Sequence, residues 1–281
     1  MPAELTITEY TDPACPWAFS AEPFRLRLDW IYGDAIEWKH VMVVLSEDPA
    51  DYEKKGLDAE MLAKGAGKIA QAHGMPIDSS VPERLQASLP ACRAVVAARL
   101  NAPEAELALL RNLRVRNFSD QLLDAPETIA AAARDAGISE DDLGRWAEDD
   151  RVEEALRADM HAARHPGEAA LALDARLADW EGGRRYTCPS YEFERHSDSA
   201  RASAPGFQPF AVSDVAMANL LPHAERRATP DDVSEVLAWA GVPLATREVA
   251  EICEIDDRDA REKLSRVATE HPVGADGYWT A

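Results

Sequence analysis

The stretch DPACPWAFSAEP, residues 12–23, sets a cysteine, a proline and a tryptophan where a strand runs into a helix. Before it, ELTITEY (residues 4–10) alternates Leu5 and Ile7 with Thr6 and Thr8, the period-two signature of a strand with one buried face. After it, SAEPFRLRLDWIYGD (residues 20–34) carries Phe24, Leu28 and Ile31 at helical spacing and stops at Gly33. Cys15 is therefore expected at a helix start, where unpaired backbone N–H groups and the helix dipole favour an anion and lower a thiol's pKa. AIEWKHVMVV (residues 35–44) reads as a second strand, so the chain opens with a right-handed strand–helix–strand crossover and parallel strands.

From about Pro49 to Trp180 the text changes to alanine-rich helical segments. They include PERLQASLPACRAVVAARL (residues 82–100), PEAELALLRNLRVRNF (103–118), APETIAAAARDAG (125–137) and SEDDLGRWAED (139–149), with proline or serine near an acidic residue as start signals. No strand pattern interrupts this block. Strand text returns at RRYTCPSYEFER (184–195), RASAPG (201–206) reads as a linker, and FQPFAVSDVAMANLL (207–221) as a helix. HAERRATP (223–230) marks a boundary. Beyond it lie three helices, PDDVSEVLAWAG, ATREVAEICEI and DRDAREKLSRVAT, with Asp256 as the third helix's N-cap, and then HPVGADGYWT with a hairpin tip at its glycines. The expected organisation is an α/β domain split over residues 1–48 and 181–224, an all-helical insertion over 49–180, and a winged-helix-like module over 225–281.

Composition narrows the function classes. A chain of 281 residues, 46% of them hydrophobic, is long enough for one sizeable core and an accessory domain. A net charge of −21 repels phosphate backbones and argues against nucleic acid as a partner. Neither a membrane span nor a signal peptide is readable, so the expected location is the cytoplasm. The four cysteines, Cys15, Cys92, Cys188 and Cys253, are dispersed without a C-x-x-C pair, unlike a disulfide framework or a structural zinc site. His161 and His165 stand four apart on a helix but lack a clear third ligand, so a solvated face is expected and no metal. Cys92 and Cys253 read as core packing, and no nucleotide-binding loop is present.

Strand, C-P-W at a helix start, strand, helical insertion and then T-C-P before a strand resemble the DsbA-like branch of the thioredoxin superfamily. The motifs that carry the resemblance are DPACPWAFSAEP, SLPACRAVVAA and YTCPSYEF, and the chain also resembles the intracellular FrnE-like and Spx-adaptor-like relatives of that branch. The resemblance implies a thioredoxin fold split by a helical domain, Cys15 as nucleophile, and Pro189 as a cis-proline facing it. Pro16, Trp17, Thr187 and Pro189 are then the substrate-binding residues, with Trp17 also read as a packed lid beside the thiol. The substrate would be a cysteine-containing protein or a small thiol. No cofactor is required, although glutathione or another low-molecular-weight thiol fits the scheme.

One position departs from that family. Ala18 stands where the second, resolving cysteine is expected, so the local attack that releases a mixed disulfide is unavailable. For a thiol–disulfide oxidoreductase or isomerase three outcomes stay open: Cys15 acts alone in reduction or isomerisation with an external thiol, Cys188 replaces the missing partner from across the site, or the redox function is lost and a binding scaffold remains. The second requires Cα atoms within roughly 4.4–6.8 Å. Two other readings stand beside thiol–disulfide exchange. Kappa-class glutathione transferases and chromene-carboxylate isomerases resemble this architecture but usually carry serine at the position of Cys15. A peptide-binding adaptor would use the cleft for an extended chain and the C-terminal module for a protein partner.

Overall fold

The computed structural model describes residues 2–281. Strand β1 (Leu5–Thr11) buries Leu5, Ile7, Glu9 and Thr11 and leaves the residues between them partly covered, so the alternation read from Leu5 and Ile7 continues through a charged residue. The single helix expected next is two: α1 (Pro16–Ser20) and α2 (Glu22–Tyr32). Pro23 has no N–H to donate to the turn before it, which accounts for the break at Ala21. Gly33 closes α2 at φ +47, a conformation glycine adopts readily. Strand β2 (Ile36–Met42) then lies parallel to β1, in register from Leu5 opposite Ile36 to Thr11 opposite Met42.

Eight helices follow: α3 (Ala50–Lys54), α4 (Ala59–His73), α5 (Leu89–Asn101), α6 (Glu106–Asn117), α7 (Pro126–Asp135), α8 (Glu140–Ala147), α9 (Asp150–Ala163) and α10 (Glu168–Leu171). Ser139 and Asp149 cap α8 and α9 by accepting from the backbone N–H groups of Asp142 and Arg151. Helices α5 to α9 share a core that includes Val95, Val96, Leu109, Leu113 and Leu156. Residues 82–88, expected to be helical, lie outside α5, because Pro90 starts the helix as its second residue and fixes the entry there.

Strands β3 (Ala178–Trp180) and β4 (Gly183–Arg185) form a short hairpin at the end of the expected all-helical stretch. Only three residues long each, they are too brief to show a period in sequence. Strand β5 (Ser190–Arg195) pairs antiparallel with β1, and β6 (Arg201–Ala204) pairs antiparallel with β5. RASAPG is therefore an edge strand and a turn, not a linker. The sheet order is β2-β1-β5-β6. Helix α11 (Phe210–Leu220) covers it with Met217 and Leu220 against Leu5, Ile7 and Phe193.

The remaining elements are α12 (Val233–Ala240), β7 (Leu244–Ala245), α13 (Thr246–Cys253), α14 (Asp257–Leu264), β8 (Thr269–Val273) and β9 (Asp276–Thr280), with the strands in the order β7-β9-β8. Asp256 caps α14 by accepting from the Asp259 N–H at 2.8 Å. Helix α13 packs on α2, where Leu26 and Trp30 meet Val236, Val249, Ile252 and Trp279. The β8–β9 turn reaches further. A Cβ on Gly274 would lie 2.4 Å from the carbonyl oxygen of Ile77, so only glycine allows that approach.

A charged seam runs beneath these contacts. Arg114 of α6 is fully buried and donates to Glu22 of α2, to Glu9 of β1 at 3.0 Å and to Thr11. Arg25 bonds Glu22 and Asp29, while Arg111 grips Glu248 of α13 at 2.6 and 2.8 Å and the Pro243 carbonyl at 2.9 Å. Burial pushes the Glu22 carboxyl up, but Arg25, Arg114 and Arg111 outweigh it and hold the group at about 2.

Candidate active site

Cys15 is the N-cap of α1, in extended conformation, and Pro16 follows as the first helical residue. Its position is set by the loop before it. Asp12 turns the chain by accepting the Ala14 N–H on its side chain at 2.8 Å, while its carbonyl accepts the Cys15 N–H at 3.1 Å. On the opposite side, β5 begins at Ser190 and the Cys188–Pro189 peptide is cis. The Ser190 hydroxyl donates to the Thr187 carbonyl at 2.7 Å and accepts the Gly206 N–H at 2.9 Å, which fixes this loop against the sheet.

These two loops meet. The Cys15 thiol donates to the Cys188 carbonyl at 3.3 Å, although the residues are 173 positions apart. Both are buried, and both are free thiols packed with Ala18, Val43 and Ala163. A hydrogen bond from the Cys188 thiol lowers the Cys15 pKa; burial opposes it, and the backbone N–H groups of Ala18 and Trp17 add to the lowering. Cys188 moves the other way, pushed well up by burial and by its bond to Cys15. Of the pair, Cys15 is thus the thiol that ionises more readily.

Five of the six residues singled out in sequence, Cys15, Pro16, Trp17, Thr187 and Cys188, line one cavity of about 390 Å³. Pro189 is buried behind it and does not line it. Trp17 is 42% exposed and leans on His73 and Phe207, each at 5.3 Å between ring centroids, so it rims the mouth rather than sealing it. The Thr187 hydroxyl donates to the Arg176 carbonyl at 3.1 Å. His161 and His165 stack on each other at 3.9 Å, away from this cavity, and no three His, Cys, Asp or Glu side chains among the described residues gather as a metal site.

Sequence reasoning passed over Asp12. It is fully buried, and its other oxygen accepts the Leu45 N–H at 2.8 Å, the Ser88 hydroxyl at 2.7 Å and the Cys92 thiol at 3.5 Å. One carboxylate thus ties the thiol loop to the end of β2 and the start of α5. Burial raises its pKa, and its charge works against ionisation of Cys15. Cys92 is therefore both core packing, as read, and a donor to Asp12; burial pushes its thiol far up, so it is the inert member of the group. The Asp-Pro pair ahead of Cys15 was the available signal for Asp12, since Asp favours such turns. Tyr52, a cavity residue whose phenol burial pushes up, gave no signal at all.

The comparisons with known proteins agree with this fold. A family model described as thioredoxin matches residues 9–167, more than half of the chain. The chain belongs to the thioredoxin family. Its helical insertion between β2 and β5 gives it the DsbA-like form of that fold. Among solved structures, the cytosolic disulfide reductase DsbM from Pseudomonas aeruginosa is 14% identical with TM-score 0.55, over 76% of this chain and 99% of that one. A candidate protein disulfide isomerase from Nitrosomonas europaea is 17% identical with TM-score 0.56, over 78% and 96%. A probable DsbA oxidoreductase from Streptomyces coelicolor is 18% identical with TM-score 0.54, over 80% and 92%. At these identities the likeness is one of fold. No curated protein sequence matches the chain. Within this thioredoxin-family protein no helix among the described residues is long and apolar enough to cross a membrane.

Proposed function

We propose that the protein is a thiol–disulfide oxidoreductase in which Cys15 is the nucleophile and Cys188 does the work of the cysteine absent at position 18. The observation that carries this reading is the meeting of the two cysteine loops, with Cys15 Sγ 3.3 Å from the Cys188 carbonyl, both thiols free and the two pushed in opposite directions, Cys15 toward the thiolate and Cys188 away from it. In the first step the Cys15 thiolate attacks one sulfur of a substrate disulfide; the Cys15–substrate bond forms, the substrate bond breaks, and one half leaves as a thiolate. In the second, Cys188 loses its proton to that leaving thiolate or to water and attacks Cys15 Sγ. The Cys15–Cys188 disulfide forms and the other half of the substrate leaves. The substrate is reduced by two electrons and the protein pair oxidised by two. Two equivalents of an external thiol restore the reduced pair.

No resident cofactor enters this scheme. A small thiol suits the cavity of about 390 Å³, which lies in the size range of small-molecule sites, and a structure of DsbM has been solved with GSH. A reducing compartment, the cytoplasm, suits a protein whose four cysteines are all free. Protein substrates would present an extended segment to the Thr187–Cys188 backbone.

The test is disulfide reduction with insulin and with 2-hydroxyethyl disulfide, under dithiothreitol turnover. Cys15→Ser is expected to lose about a thousandfold or more in rate. Unchanged turnover in that variant contradicts the assignment.

A further inference from the structure

A second recess, of about 850 Å³, lies between α3, the C-terminal half of α9 and the β3–β4 hairpin. It shares Leu45 and Arg185 with the redox cavity, so the two spaces are neighbours across one wall. On a chain of net charge −21 its lining is unusual. Lys55 and Arg185 have no carboxylate within salt-bridge distance among the described residues; their only hydrogen bonds go to the backbone carbonyls of Leu45 and Tyr186. Arg164 has Glu47 at 4.0 Å, and Glu47 is already engaged by Arg157 at 2.9 Å. The other acids along the wall are mostly taken: Asp51 by Lys54 at 2.9 Å and Asp179 by Arg184, which leaves Glu181, exposed.

Cations facing one another over open space, with fewer free acids than cations, leave charge to be matched by a ligand. Burial depresses the Arg164 guanidinium, Glu47 works against that, and Arg185 and Arg157 press it down further by like-charge repulsion. An apolar floor is present as well. Trp180 lines the recess beneath Arg164, 5.5 Å from its ring, and its indole N–H is buried without a partner. Arg185 is also close enough to Cys188 to favour the Cys188 thiolate. An anion held by Arg185 therefore sits beside the redox pair.

We infer that this recess binds the anionic end of a small substrate, and that among low-molecular-weight disulfides Cys15 favours those carrying carboxylate or phosphate groups. This rests on the redox reading for the sulfur chemistry but not for the binding. The attacked sulfur would lie at Cys15 in the smaller cavity, and the charged end would cross the Leu45–Arg185 wall into the recess. Guanidinium groups match either oxyanion.

Binding and reaction test it separately. Isothermal titration of the unreactive Cys15→Ser protein with S-methylglutathione and with pyrophosphate reads anion binding without sulfur exchange, and Lys55, which lines the recess but not the redox cavity, tells the two spaces apart. At least one is expected to bind, and Arg185→Gln to weaken it about tenfold, the loss of one charge-assisted hydrogen bond. Arg185→Lys should recover part of that affinity, and Lys55→Gln, an exposed site, should weaken it less. In the wild-type protein, stopped-flow oxidation of Cys15 is expected to be faster with glutathione disulfide or coenzyme A disulfide than with neutral 2-hydroxyethyl disulfide, and slowest with cationic cystamine. Raising the salt should flatten that order. The first two disulfides separate carboxylate from phosphate. No binding of either anion, binding untouched by Arg185→Gln, or a rate order that ignores charge overturns the inference. Inertness to every one of these disulfides, with anion binding intact, instead removes the redox reading and leaves the anion site standing.

Discussion

Two buried polar regions lie within this fold, and they are built on different terms. In the seam under α2, charge is matched with charge: Arg114, Arg111 and Arg25 each reach a carboxylate on another turn or another element, and the seam joins β1, α2, α6 and α13. In the cleft above α1, the Cys15 thiol bonds the Cys188 carbonyl, and its pKa is lowered by Cys188 and by the backbone N–H groups of Ala18 and Trp17 while burial and the Asp12 carboxylate oppose that. The seam stabilises one arrangement of elements. The cleft keeps a sulfur that lines an open cavity and is eased toward ionisation by weak donors only. Charge matched with charge gives rigidity, and weaker donors leave reactivity.

The seam should therefore fail by unfolding and the cleft by losing chemistry. Arg114→Met removes the shared partner of Glu9 and Glu22 and leaves buried carboxylates under-compensated; chemical denaturation should read a loss of about 3–5 kcal/mol. A loss below about 1 kcal/mol, no larger than for a surface pair, would erase the contrast. Acid should open the same region. The Glu22 pKa in the fold is about 2, below its ordinary 4.5, so its contribution is complete above pH 4.5 and disappears as the pH falls toward 2. Stability curves across that window should show a loss of up to about 3 kcal/mol that Glu22→Gln, already weaker at neutral pH, does not share. The smallest effect belongs to the cleft. Cys188→Ala removes the donor to Cys15, so the pH profile of Cys15 alkylation should move upward while the denaturation midpoint stays nearly in place. A profile that does not move denies Cys188 any part in holding the thiolate.

The same contrast governs what the sequence discloses. Strand β1 was legible from Leu5 and Ile7, the helix start from the Cys-Pro pair, and α14 from Asp256, because each is a local pattern. The seam was not legible. Glu9, Glu22 and Arg114 look like ordinary surface charges in sequence, and their partners lie 92 to 105 positions away. Cys15 and Cys188 were brought together only through a family resemblance, since no periodicity spans 173 residues. Strands β3, β4 and β6, three or four residues long, are too short for alternation to outweigh their glycine, alanine and arginine content. Their pairing is supplied by neighbours the chain meets only when folded.

Peptide mapping by mass spectrometry of the monomer, after mild oxidation with one equivalent of a small disulfide, tests the central claim most directly. A peptide linking residues 15 and 188, with Cys92 and Cys253 still alkylatable once the protein is denatured, is the predicted result. Persistence of Cys15 as a mixed adduct with the added thiol while Cys188 stays free would contradict it.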